Sequence, residues 1–188
     1  MAACSGGWFE AAVNCGPGTK YRYLLQDGSG VPDPASRAQS GDVHGPSIVV
    51  DPASYKWRNA YWRGRPWEDA ILYELHAGVL GGFAGIAREL PRLAALGITA
   101  VELMPIAEFP GARNWGYDGV LPFAPESSYG TPDQLKALID AAHEYGLMIF
   151  WTWSTIILGP MGITSAPMHP PCFAATLQPH GGRQSIFD

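Results

Sequence analysis

Hydrophobic and polar positions follow two rhythms along this chain, and the change falls near residue 70. Before it, GWFEAAV and TKYRYLLQ alternate roughly one for one, which puts Tyr21, Tyr23 and Leu25 on one face, and NCGPG between them supplies turn residues. Alternation of period two around such a turn predicts a β-hairpin. A lone hairpin is marginal in water, so residues 1–50 are expected to be the C-terminal part of a larger β-domain whose earlier strands are missing. Residues 31–69 hold Pro32, Pro34, Pro46, Pro52 and Pro66 and few periodic runs, yet also Tyr55, Trp57, Tyr61, Trp62 and Trp67. A free linker is poor in such side chains, so the linker at 51–69 is expected to pack between two domains.

From residue 70 strand and helix patterns alternate. AILYELH reads as a strand, and GFAGIARELPRLAALG as a helix with Phe83, Ile86, Leu90, Leu93 and Leu96 near one face and Gly97 at its end. Pro91 is expected to kink or restart that helix. ITAVELMPI is a second strand. Thr131 reads as an N-cap with Pro132 at the first helical position, and Leu135, Leu138, Ile139 and Ala142 fall at i, i+3, i+4 and i+7. Gly146 closes this helix and LMIF begins a third strand. The order predicts an α/β unit over 70–150, with a parallel sheet and right-handed crossovers.

Composition narrows the function. The 188 residues are 47% hydrophobic and 12% aromatic, enough for one core. A net charge of -5 without a Lys/Arg cluster argues against nucleic acid or an anionic membrane surface as partner; a neutral sugar suits it better. Cys4, Cys15 and Cys172 are scattered, so neither a disulfide framework nor a metal site is indicated, and no cofactor is expected. MAACSGGWFEAA lacks the basic and apolar regions of an export signal, and no apolar run is long enough to span a bilayer. A reducing, cytoplasmic setting is the default expectation.

The chemistry is expected in EFPGARNWGYDGVLPFAPESSY, residues 108–129, which is too long for a mere connection. Long loops after the C-terminal ends of parallel strands are where α/β barrels build sites. Within it, Trp115 and Tyr117 can stack on pyranose faces and Asp118 can take hydroxyls; the alternative is that both rings only pack the loop onto the barrel rim.

Several motifs occur in one order: VPDPASR, VHGPS, YELH at 73–76, GITAVELMPIAEFPG at 97–111 and NWGYDGVLPFAPESSYGTPDQLKALIDAAHEYGLMIF at 114–150. Together they resemble the α-amylase superfamily over residues 7–150. More closely they resemble its malto-oligosyltrehalose trehalohydrolase family, with glycogen branching enzymes as the near relative; VPDPASR followed by VHGPS favours the former. The resemblance implies an immunoglobulin-like β-sandwich domain followed by a (β/α)8 TIM barrel, of which this chain holds the first three strands. It implies an α-glucan or maltooligosyl trehalose as substrate and retaining hydrolysis by carboxyl groups from later strands, so that no residue here is a catalytic candidate. Tyr117 matches the family tyrosine that stacks beside the scissile bond, and Asp118 the adjoining aspartate. His76 is a weaker substrate-binding candidate, since a lone histidine there is more often a hydrogen-bonded structural residue. Two function classes stay open: a fragment of such a hydrolase, itself inactive, or a glucan-binding module.

The tail 151–188 departs from the family. The third strand of the family continues LDVVYNHFGPDGNYL, and its Asp, Asn and His fall on Thr152, Ile156 and Ile157. Reverse-translating residues 151–165 and regrouping the bases one position earlier permits that motif at every place. The tail is therefore expected to be a frameshifted peptide. A genuine divergent terminus would have to explain the lost strand–helix alternation and the turns MHPP and QPHGG.

Overall fold

The computed structural model describes residues 1–152. The first fifty contain β1 (Ala2–Ala3), β2 (Phe9–Glu10), β3 (Lys20–Tyr21), β4 (Tyr23–Leu24), β5 (Gly30–Val31) and β6 (Ser47–Ile48). The expected hairpin does not form. β2 folds back on β1, β3 pairs with β6 and β4 with β5, all antiparallel. The SIVV segment outcompetes GWFEAAV as a partner because its pairing with the chain after the turn extends past the strand ends, through Gly18 N–H to the Val49 carbonyl (2.9 Å) and Val49 N–H to that of Thr19 (2.9 Å). Alternation itself survives: Tyr23 is buried between exposed Arg22 and Leu24. VPDPASR locks in below, with the Tyr21 hydroxyl donating to Asp33 Oδ2 (2.6 Å) and Asp33 N–H to Ser47 Oγ (2.9 Å).

The second half contains β7 (Leu72–Leu75), α1 (Gly82–Ala95), β8 (Ala100–Leu103), β9 (Ala107–Glu108), β10 (Leu121–Pro125), α2 (Pro132–Glu144) and β11 (Met148–Trp151). β7, β8 and β11 form one parallel sheet in the order β11-β8-β7, in register from Leu72, Ala100 and Met148 to Leu75, Leu103 and Trp151. Phe83, Ile86, Leu90 and Leu93 of α1 meet Leu138 and Ala142 of α2 over Val101 and Leu103 of the sheet, and all are buried. Burial of each such large side chain contributes about 1.5–3 kcal/mol. Thr131 caps α2 as its sequence predicts. Its hydroxyl accepts from Gln134 N–H and the Gln134 side chain accepts from Thr131 N–H, a reciprocal cap that contributes about 1 kcal/mol.

Two expectations for α1 are corrected. Pro91 lies inside one continuous helix and does not restart it; its ring is exposed, so the helix loses one donor without burying a clash. Leu96 is 66% exposed, because the helix ends at this residue and Gly97, at φ 88°, turns the chain away before Leu96 reaches the core.

Residues 55–65 pack against α2, where a buried carboxylate receives them. Asp140 accepts from the Tyr55 hydroxyl (2.9 Å), Arg58 N–H (2.9 Å) and Asn59 N–H (3.1 Å), while its own carbonyl accepts from the Asn59 amide (2.9 Å). Burial alone would raise its pKa, but the two backbone bonds, the Tyr55 hydroxyl and the Arg58 charge outweigh it and hold the carboxyl below its ordinary value. One turn on, Trp62 stacks on His143 at 4.8 Å and 14°. Burial there lowers the histidine's pKa against the opposing pull of Asp140. Arg65 Nε donates to the Gly146 carbonyl at 2.6 Å and closes the seam.

The long segment after β8 is not all loop. β9 and β10 pair antiparallel across a bulge and bury Glu108 and Glu126. The two carboxylates exchange partners: Ser127 N–H and Oγ donate to Glu108 (2.7 and 3.0 Å), and Phe109 N–H and Ser128 N–H donate to Glu126 (3.2 and 3.0 Å). Burial, helped by the neighbouring Glu126 charge and opposed by the Ser127 bonds, pushes the Glu108 carboxyl up to about 7.

Candidate sugar-binding site

The C-terminal ends of the three parallel strands face one way, and the chemistry follows them. β7 runs into His76, β8 into Met104 and Pro105, and β11 into Thr152. Between β9 and β10 the segment Asn114 to Asp118 projects beside this end. Asn114 gives it shape. Its Oδ1 accepts from Gly116 N–H at 2.7 Å, an Asx turn, and its Nδ2 donates to Asp118 Oδ2 at 2.8 Å. Gly116 is buried with φ 95°, and a Cβ there would collide with the Pro105 carbonyl, so only glycine lets the turn sit this close to the end of β8.

The turn presents Trp115, 75% exposed, with Tyr117 and Asp118 also at the surface. Two rings and a carboxylate in such reach suit a polyhydroxylated ligand whose ring faces are apolar. His76 stands apart from that display: Nδ1 accepts from Val79 N–H at 3.1 Å and Nε2 lies 2.7 Å from the Asn114 carbonyl. The structure thus joins Trp115, Tyr117 and Asp118 on one turn and places His76 against its backbone. Behind the turn is a cleft of about 270 Å³ lined in part by Pro105, Gly116, Phe123, Leu135 and Trp151.

The strand continues one residue beyond the expected start of the tail: Trp151 pairs with Leu103, and Thr152 N–H donates to the Leu103 carbonyl (2.8 Å). Thr152 Oγ1 donates to Glu102 Oε1 on β8 (2.9 Å), so this hydroxyl is spent on the barrel wall. Ile156, Ile157 and the rest of the tail lie outside the described residues. Among the described residues no group of three or more His, Cys, Asp and Glu could hold a metal ion, and no helix is long and apolar enough to cross a membrane.

Sequence reasoning passed over Asn114 and Tyr129, which hold the site without facing a ligand. Asn114 was findable, since Asn two residues before Gly is an Asx-turn signal. Tyr129 had no local signal: its partners are His76, Phe83 and Phe109, all distant in sequence.

Comparison with known proteins places this geometry. The alpha amylase catalytic-domain model matches residues 34–152. A malto-oligosyltrehalose trehalohydrolase of Deinococcus radiodurans is 41% identical over 165 residues, covering 86% of this chain and 27% of that protein. A crystal structure from Salmonella typhimurium, assigned to the alpha amylases, superposes with TM-score 0.72 at 57% identity over 73% of this chain and 24% of its own. An Anoxybacillus pullulanase in complex with maltotetraose superposes with TM-score 0.56 at 25% identity, over 66% and 24%. The chain therefore spans about a quarter of the length of the curated relatives it matches. With the catalytic-domain model matching residues 34–152 and a curated relative 41% identical over 86% of the chain, the chain belongs to the α-amylase family of glycoside hydrolases.

Proposed function

We propose that this chain is the N-terminal barrel portion of a cytoplasmic trehalohydrolase-type enzyme, and that its Asn114–Asp118 turn forms one wall of an α-glucan site. The observation that supports it most is the exposure of Trp115 and Tyr117 on a turn that Asn114 and Gly116 hold fixed. Tyr117 stacks on a glucose ring, Trp115 extends that surface, and Asp118 accepts hydroxyl protons. The curated relative at 41% identity favours maltooligosyl trehalose over the branching-enzyme alternative. Residues 1–50 fit the end of an immunoglobulin-like domain, 51–69 the linker and 70–150 the start of the barrel.

Catalysis in this reading proceeds with retention: one carboxylate attacks the anomeric carbon, a second carboxyl protonates the leaving oxygen, and water resolves the glycosyl-enzyme. Those groups belong to later barrel strands, so this chain binds without cleaving. The tail after 150 is a frameshifted peptide; sequencing across codons 151–165 refutes this if the regrouped bases do not spell the family strand.

Maltoheptaose titrated into the chain tests the site. Replacing Tyr117 by Ala removes a stacking ring and is expected to weaken binding about tenfold, with a smaller loss for Trp115→Ala. Equal affinity in the parent and both variants overturns the assignment.

A further inference from the structure

His76 is the weaker of the sugar-binding candidates, set against a structural reading, and its ring has no nitrogen left for a sugar. Nδ1 accepts from Val79 N–H, which fixes the tautomer, so Nε2 carries the proton and donates to the Asn114 carbonyl at 2.7 Å. The same carbonyl lies 3.4 Å from the Tyr129 hydroxyl, which is also 3.2 Å from Nε2. Tyr129 is only 6% exposed; its ring meets those of His76, Phe83 and Phe109 edge-on, and its carbonyl accepts from Phe83 N–H at the start of α1 (2.9 Å). Gly78 shows how tight the fit is, since a Cβ there would strike both the His76 and Tyr129 rings. A rigid post therefore runs from the core through Tyr129 and His76 to one backbone oxygen. That oxygen belongs to the residue whose side chain shapes the turn, through Gly116 N–H and Asp118 Oδ2.

We propose that His76, backed by Tyr129, is a positioning residue that holds the Asn114 carbonyl and so sets how Tyr117 and Asp118 are presented to the glucan. This rests on the sugar-site reading above, but its geometry can be tested without a sugar. The two ring nitrogens serve different segments, and two substitutions separate them. In His76→Gln the amide nitrogen reaches about as far as Nε2 and can still donate to Asn114, whereas His76→Asn keeps an acceptor near Nδ1 for Val79 and loses the donor.

Hydrogen exchange read by mass spectrometry across residues 110–120, together with maltoheptaose affinity, distinguishes the outcomes. His76→Asn is expected to speed exchange of the Gly116 amide about fivefold and to weaken maltoheptaose by a similar factor, the scale of one lost hydrogen bond, while His76→Gln stays within about twofold of the parent. Tyr129→Phe, which keeps the ring and removes only the hydroxyl, is expected to speed Gly116 exchange about twofold. The reverse order, with Gln more harmful than Asn, assigns His76 to the Val79 turn and overturns the proposal, as does unchanged Gly116 exchange in both His76→Asn and Tyr129→Phe. If the parent chain binds no maltoheptaose the sugar-site reading fails, and Gly116 exchange alone decides the positioning role.

Discussion

Maltooligosyl trehalose incubated with the 188-residue chain is expected to yield no trehalose above a buffer control, however much protein is added. Retaining hydrolysis needs two carboxyl groups about 5–5.5 Å apart on either side of the glycosidic oxygen, one ionised and one protonated. In the resemblance that this chain shows, those groups come from barrel strands beyond the third. The carboxylate on the aromatic turn, Asp118, is held by the Asn114 amide, and Glu102 of β8 is held by the Thr152 hydroxyl. Stacking and hydrogen bonding alone bind substrate and transition state alike and do not raise the rate of the chemical step. The deficit relative to an intact glycosidase should therefore be at least about 10⁶-fold, near the lower limit of enzymatic acceleration. Trehalose release that survives repurification and scales with this chain would refute the assignment of the chemistry to later strands.

The second large effect lies at Asp140. Replacing it with Ala leaves Arg58 N–H, Asn59 N–H and the Tyr55 hydroxyl without their acceptor at a part-buried seam. Uncompensated groups of this kind cost about 1–3 kcal/mol each, and part is recovered where the linker can open to water, so the seam should weaken by about 3–5 kcal/mol. Trypsin is the direct probe, because Lys56, Arg58 and Arg63 lie in the linker and none precedes a proline. Asp140→Ala should speed cleavage there at least tenfold, and Asp140→Asn, which retains one acceptor, should fall between. The pH dependence has a definite sign. A carboxyl whose folded pKa is depressed stabilises above its unfolded value of about 3.9, and that contribution disappears as pH falls through the lower folded value. Linker protection should thus hold at neutral pH and fade in acid below about 4; equal cleavage of parent and variant at pH 7 would show that the seam does not depend on this residue.

Legibility in the sequence followed the range of the forces involved. The three parallel strands, the Thr131 cap and the glycine stops at Gly97 and Gly146 are written in neighbouring residues, and the structure has them all. The N-terminal hairpin was misread because alternation identifies a strand without naming its partner, and the partner of β3 is more than twenty residues away. β10 escaped notice because Pro122 and Pro125 argue against a strand; a short edge ladder tolerates them. Asp140 looks like an ordinary polar residue of an amphipathic helix, and only the returning linker buries it. At the site, Trp115, Tyr117 and Asp118 were visible as the residues that face outward. The parts that hold them in place, Asn114, Tyr129 and the inward-facing bonds of His76, depend on contacts across the fold.

The crossed pair Glu108 and Glu126 makes the folding of this chain an acid–base reaction. In the unfolded chain a glutamate releases its proton near pH 4.5, whereas folded Glu108 keeps its proton up to about 7. Between those values the chain takes up a proton as β9 and β10 close, and the solution around it grows more basic. Because the folded state binds more protons, this hairpin loses stability as pH rises through that interval, opposite in sign to the Asp140 seam. The two buried carboxyls thus tune different joints of one molecule to different media: acid loosens the linker while neutrality strains the base of the aromatic turn, and a mildly acidic medium suits both.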